Sequence, residues 1–406
     1  MLNFNSELGQ IKIILLFALI NTSVFTAFRP SGGLRLIIAT LLVVSGVFLT
    51  GYFVNTIKRK LDIDLYFKIV IFFLVIWSFY TVLRSMALDS NTLITLFGNS
   101  LMGWAWLTPL AISFGLNIFN WLHLFNFFSR FLLIASIVAM GVFFYVEKAF
   151  AILDWMVFLP ILLLTYSYQS KANKRILLFS IVAFLLLSFF ASKRANLVYF
   201  VLVSFFYFVE YLRSSNTNLF LKATILLGAF TLGVFVFLQD IGSRNLDVDN
   251  KEVTTDTRTF LFEELYADMT DKELITGRGV LGTYFSPYFE YTRTHGLGGD
   301  NPTRISVEVG YLQIILKGGY IMMGLYLLIL LPAAYLGIFK SNNCIARMSG
   351  YFILSYLLLW TVSYYPVYSA NFILLWMAAG TAISRSARRL SNEDLLRYKS
   401  LQKMSL

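Results

Sequence analysis

One cysteine, Cys344, and two histidines, His123 and His295, are all that 406 residues hold of these two types. The lone thiol excludes an internal disulfide and a Cys-rich metal cluster. Two imidazoles make a histidine-based metal site a poor expectation, and neither metal nor cofactor is expected. Charge is scarce too, at 14% of the residues against roughly one-quarter in soluble domains. Acidic side chains are the scarcer sign, 22 against 33 basic, for a net charge of +11. No internal repeat and no low-complexity stretch interrupts the chain.

What fills the sequence instead is apolar: 58% of the residues, with a mean hydropathy of +0.71. A bilayer-crossing helix needs about 20 mostly apolar residues. Runs of that order lie at 11–28, 34–54, 66–83, 94–114, 122–146 and 149–168. Six more follow at 174–192, 195–212, 219–239, 319–339, 348–364 and 367–384. The expectation is an all-α polytopic integral membrane protein of about 12 transmembrane helices. The run at 11–28 reads as a retained span rather than a removed signal peptide.

Lys and Arg in short loops set orientation. With the N-terminus inside, the inside segments carry 18 of them and the short outside segments 6. Both termini are therefore expected in the cytoplasm. The basic excess is dispersed over many loops, which suits the lipid bilayer as partner and leaves nucleic acid a poor one.

One polar stretch, 240–304, breaks the apolar pattern and is placed outside by the same count. It holds 12 of the 22 acidic residues and 7 of the 33 basic ones. The organisation expected is helices 1–9 in 1–239, the large loop and its lead-in helix in 240–318, helices 10–12 in 319–384, and a basic tail in 385–406. Within the loop, Phe260, Leu261, Leu265 and Met269 recur at helical spacing, predicting a helix on the membrane surface or over a cavity. Thr270 and Glu273 read as a capping box opening a second helix. Gly277 and Gly279 then permit a tight turn, or close backbone approach to a ligand. Tyr284, Phe285, Tyr288 and Phe289 could anchor at the headgroups or stack on sugar rings.

Arg304 and Glu308 are four apart, so on a helix they share one face and pair. Glu308 also leads into apolar sequence, where a carboxylate is costly without a role or a partner. A second cluster, Ser192-Lys193-Arg194-Ala195-Asn196, places two cations on an outside turn against the inside bias, a pattern that suits anion binding. Arg130, inside the run 122–146, is expected to face the protein interior or a polar cavity.

In four places the chain resembles the O-antigen polymerase (Wzy-type) and O-antigen ligase superfamily. These are the many-span layout with one late outside loop, the Arg-bearing turn at Arg194, the Gly277–Tyr284 pattern G-x-G-x-x-G-x-Y, and the lead-in 308–319. Ligases of that superfamily carry a His-Asn pair where Glu308 and Val309 stand when Tyr311-Leu312 and Gly319 are aligned. The chain therefore looks more like a polymerase. The resemblance implies a GT-C-like glycosyltransferase in the bacterial inner membrane, with the large loop in the periplasm. It implies a role in lipopolysaccharide biosynthesis, joining undecaprenyl-diphosphate-linked oligosaccharide repeats, with a polysaccharide chain-length regulator as a further partner.

Such a transfer needs positive charge on the departing diphosphate and a base for the attacking hydroxyl. Arginine suits the first need, because its planar fork matches phosphate oxygens. The residues so implied are Arg194, Arg304 and Glu308 for catalysis, with Glu308 as base or as the group orienting Arg304. Arg258, Arg278, Lys193, Gly277, Gly279, Tyr311 and His295 are implied in substrate binding. Ligase activity, or a multi-span flippase or transporter, are the alternatives. Against a transporter, the 65-residue loop has no counterpart in the N-terminal half.

Overall fold

The computed structural model describes residues 7–28, 32–57, 62–87, 89–143, 156–190, 194–214, 259–295, 301–361, 363 and 365–404. Helices α1 (Glu7–Phe28) and α2 (Gly32–Ile57) pack together, and α3 (Leu65–Leu83) follows. The next apolar run does not make one span. Residues 94–114 divide among α4 (Ser90–Gly98), α5 (Gly103–Leu107), a 3-10 turn at Thr108–Ala111 and α6 (Ile112–Gly115). Gly98, Asn99, Gly103 and Pro109 punctuate the run, and from Met102 to Gly115 it is buried inside the protein.

Helix α7 (Phe119–Phe143) buries Trp121, Phe125, Phe128 and Leu132, one stripe at helical spacing. Arg130 falls on the opposite, exposed stripe with Asn126, Ile134 and Ile137, so the expected inward-facing arginine is corrected to an outward-facing one. The described part of the predicted span 149–168 is likewise not one helix. It is α8 (Leu159–Leu164), opened by Pro160 and flanked by 3-10 turns. Then come α9 (Lys171–Phe190) and α10 (Arg194–Ser214); the predicted span 219–239 lies outside the described residues.

The polar segment contributes α11 (Thr259–Asp268), α12 (Asp271–Thr276) and α13 (Pro287–Thr294). Two short antiparallel strands, β1 (Tyr284–Phe285) and β2 (Thr303–Arg304), pair Tyr284 with Arg304. The remainder is α14 (Gly310–Phe339), α15 (Cys344–Leu359), α16 (Ala370–Ile383), α17 (Arg385–Arg389) and α18 (Asn392–Met404). At 14 residues and about 21 Å, α16 is too short to cross a bilayer, and it is buried but for the half-buried Asn371.

Among the described residues five helical stretches are long and apolar enough to cross a membrane. They are Ile37–Thr56, Leu65–Leu83, Phe119–Gly141, Asn196–Arg213 and Gly310–Phe339. The chain is an all-α, membrane-embedded protein. A large core runs through α1–α10 and α14–α16. A separate small core lies under the polar segment, built from Leu261, Leu265, Met269, Tyr284, Val307, Val309, Leu312 and Leu316. At the other end the basic tail docks on the bundle. Asn343 donates to the Ala387 carbonyl at 2.7 Å, Tyr168 to Asn392 at 2.6 Å, and Arg385 pairs with Asp64.

Candidate functional site

The polar segment meets the bundle where α14 breaks. Gly319 adopts φ 69°, ψ −175°, which interrupts the helix and leaves carbonyls of the preceding turn without intrahelical donors. Each uncapped, buried carbonyl would cost about 1–3 kcal/mol. Three donors from elsewhere take them. The Arg278 amide donates to Leu316 O at 2.8 Å, the Gly279 amide to Lys317 O at 3.0 Å, and the Trp77 indole to Gly318 O at 2.8 Å. Such an approach demands glycine on both sides. At Gly277 (φ 72°) a Cβ would stand 2.2 Å from Lys317 O, and at Gly319 one would stand 2.1 Å from Ile275 O. Close backbone approach was expected at Gly277 and Gly279; what approaches is the protein's own helix.

Two basic side chains grip the turn that follows. Below it, Lys317 is fully buried and donates to Val280 O at 2.8 Å and Gly282 O at 2.7 Å. No carboxylate lies within ion-pair distance of it among the described residues. Above it, Arg278 commits its whole fork. Its Nε and Nη2 each donate to Glu273 at 3.1 Å, its two Nη atoms donate to the side chain and carbonyl of Asp268 at 2.5 Å, and Nη1 also reaches Thr283 O at 2.7 Å. A guanidinium has five N–H donors. All are spent internally, so Arg278, implied in substrate binding, here clamps the turn.

The helices feeding that clamp form for local reasons. In the Thr270 capping box the Glu273 carboxylate accepts from the Thr270 amide at 2.9 Å. The Arg278 hydrogen bond, with the cap behind it, holds the Glu273 carboxyl down to about 2. Leu261, Leu265 and Met269 bury one side of α11, as their spacing predicted. Glu264 accepts from Ser286 Oγ at 2.6 Å and from the Tyr288 amide at 2.9 Å, fastening the start of α13.

Arg304 and Glu308 stand at the far border of the segment and are held differently. They pair, Nη2 to Oε1, at 3.7 Å, longer than a hydrogen bond. The expected helical face is not what joins them. Arg304 lies in β2, and α14 begins only at Gly310, because Gln313 Oε1 takes the Val307 amide and 305–309 run as a non-helical lead-in. The Glu308 side chain is 52% exposed, against 13% for Arg304, so the desolvated carboxylate expected there is corrected to a half-solvated one. Arg304 also lies over the Phe289 ring at 4.0 Å, a cation–π contact. Buried beside it, the Tyr284 hydroxyl is pushed up to about 12 by desolvation, with the nearby Arg304 pulling the other way.

The other predicted site residues scatter. Tyr311 is half-buried, donates to Leu357 O at 2.7 Å and packs edge-on against Trp360. His295 ends α13, exposed and stacked on Tyr291 at 4.0 Å. Lys193 and Arg258 lie outside the described residues. Arg194 opens α10, with its side chain outside the description. Lys317 was missed by sequence reasoning. Its signal is a single charge in an apolar run directly before Gly318-Gly319. Trp77 left no such signal.

Comparison with protein-family models, with curated proteins and with solved structures finds no match to this chain.

Proposed function

We propose that the chain is a membrane glycosyltransferase of the polymerase kind, joining oligosaccharide repeats carried on a lipid diphosphate at the outer face of the bacterial inner membrane. One observation carries the reading. Of the two arginines described in the polar segment and assigned to it, Arg304 alone keeps a loose pairing, beside a half-solvated carboxylate at the border with a membrane-crossing helix. A guanidinium in that position can take phosphate oxygens from a lipid-anchored donor without first breaking an internal clamp. The Glu308 carboxylate, solvated rather than buried, can accept the proton of an attacking sugar hydroxyl or hold Arg304 in register.

A transporter would also use a broken helix, with half-helix ends turned toward an ion or substrate. Here the three freed carbonyls are capped by Arg278, Gly279 and Trp77, which lowers that reading.

The glycolipid profile of a deletion strain tests the proposal. A single capped repeat unit supports a polymerase, whereas free polymer left on its carrier supports a ligase. Complementation with Glu308→Gln or Arg304→Ala should fail to restore long chains while the protein remains in the membrane. Normal ladders from both variants would sink the assignment.

A further inference from the structure

The polar segment is not polar on every side. Along α11 and at Met269 just past its end, Leu261, Leu265 and Met269 face the small core, while Phe262 and Tyr266, one turn apart on the flank, stay 38% exposed. On α12, Ile275 is 51% exposed although its carbonyl lies against Gly319. These three side chains do not sit on an isolated patch. The Tyr320 hydroxyl donates to the Tyr266 hydroxyl at 3.1 Å, and Tyr320 and Ile321 begin the exposed, apolar face of α14. That face continues beside α3, whose exposed residues include Phe72, Phe73, Ile76 and Leu83.

Depth follows from two contacts. Arg84, just past the end of α3, donates to Gly277 O at 2.6 Å and to Thr276 Oγ1 at 3.2 Å, and an arginine at the end of a spanning helix marks the headgroup level. The Gly318 carbonyl meets Trp77, six residues before Leu83 and so about 9 Å inside the end of α3. Gly319 and the adjoining Ile275 backbone therefore lie between the level of Arg84 and that of Trp77, at the boundary of headgroups and acyl chains where helices that bury one side ~5–10 Å into the interface sit.

We infer that α11 and α12 form a lipid-seated wedge: Phe262, Tyr266 and Ile275 contact the acyl chains of the adjoining leaflet, while Glu263 and Lys272 face water. The occupant is lipid because the three residues extend a surface that is already lipid-facing. The inference rests on the chain being membrane-embedded and not on the polymerase reading. For a lipid-borne substrate, the wedge would put the polar segment's border within reach of the leaflet.

Spin labels give the test. In a Cys344→Ala background, cysteines at 262, 266 and 275, with controls at 267 and 272, are labelled in full-length protein reconstituted into phosphatidylcholine–phosphatidylglycerol vesicles. Collision with oxygen relative to a water-soluble nickel chelate should be several-fold higher at the three wedge positions than at the controls. Brominated lipids should likewise quench fluorophores at 262 and 275 and not at 267. Nickel access equal to the controls would overturn the inference. So would labels shielded from both reagents, which would mean another protein covers the face. Neither readout depends on activity, so the wedge and the polymerase reading can fail separately.

Discussion

Arg278 and Arg304 belong to one polar segment, yet the chain treats them in opposite ways. Arg278 is fixed by two carboxylates and two carbonyls, with its amide on the broken helix for good measure. Arg304 rests on the Phe289 ring, on the Tyr284 hydroxyl beside it and on a carboxylate 3.7 Å away. An arginine whose donors are all spent holds structure, and one whose donors are lightly held can trade partners. The difference separates a joint from a site within the same few turns of chain.

The joint can be broken hardest at its glycines. Gly277→Ala and Gly319→Ala each force a Cβ against a carbonyl at positive φ, a cost of roughly 3 kcal/mol. Both should lower the melting temperature in detergent and open the segment to trypsin at Lys272; a wild-type melt would show the joint to be loose. Arg278→Gln should cost less, roughly 2 kcal/mol, since the partly exposed Asp268 and Glu273 regain water. The same trypsin assay reads it.

Acid probes the clamp without mutation. The Glu273 carboxyl is held near 2 in the folded protein against an ordinary 4.5. A group lowered on folding adds stability that is fully present above its unfolded value and is lost as pH falls through the folded one. Protection of Lys272 from an acid-active protease should therefore hold from pH 7 to 5 and weaken between about 4.5 and 2. The loss should shrink in Arg278→Gln to the part that the Thr270 cap supplies. The smallest effect on the fold is expected at the border. Glu308→Gln should shift stability by less than about 1 kcal/mol, and Arg304→Ala, which also loses its cation–π contact, by roughly 1–2 kcal/mol, yet both should abolish long-chain glycan in the complementation assay. A large melting shift in either would move the pair to the structural side of the comparison.

Local signals in the sequence were read well where they acted alone. The stripe Leu261, Leu265 and Met269 and the Thr270–Glu273 box gave α11 and α12. Length of apolar run was a poorer guide: 94–114 is as hydrophobic as a span, but its glycines and Pro109 turn it into short buried helices. Pair spacing misled at Arg304 and Glu308, because the helix waits for Gly310. The spacing put the two together; a β-bridge and an extended lead-in do so instead. Lys317 and Trp77 were illegible for a tertiary reason, since their partners lie 35 residues or more away in sequence.

The broken helix also bears on how the chain is made. Trp77, Arg278 and Gly279 all precede residues 316–318, so a ribosome delivers every capping donor before the carbonyls they serve. In hydrocarbon an open carbonyl has no water to turn to. Order of synthesis thus lets α14 insert already bent, onto a receptor that is waiting for it.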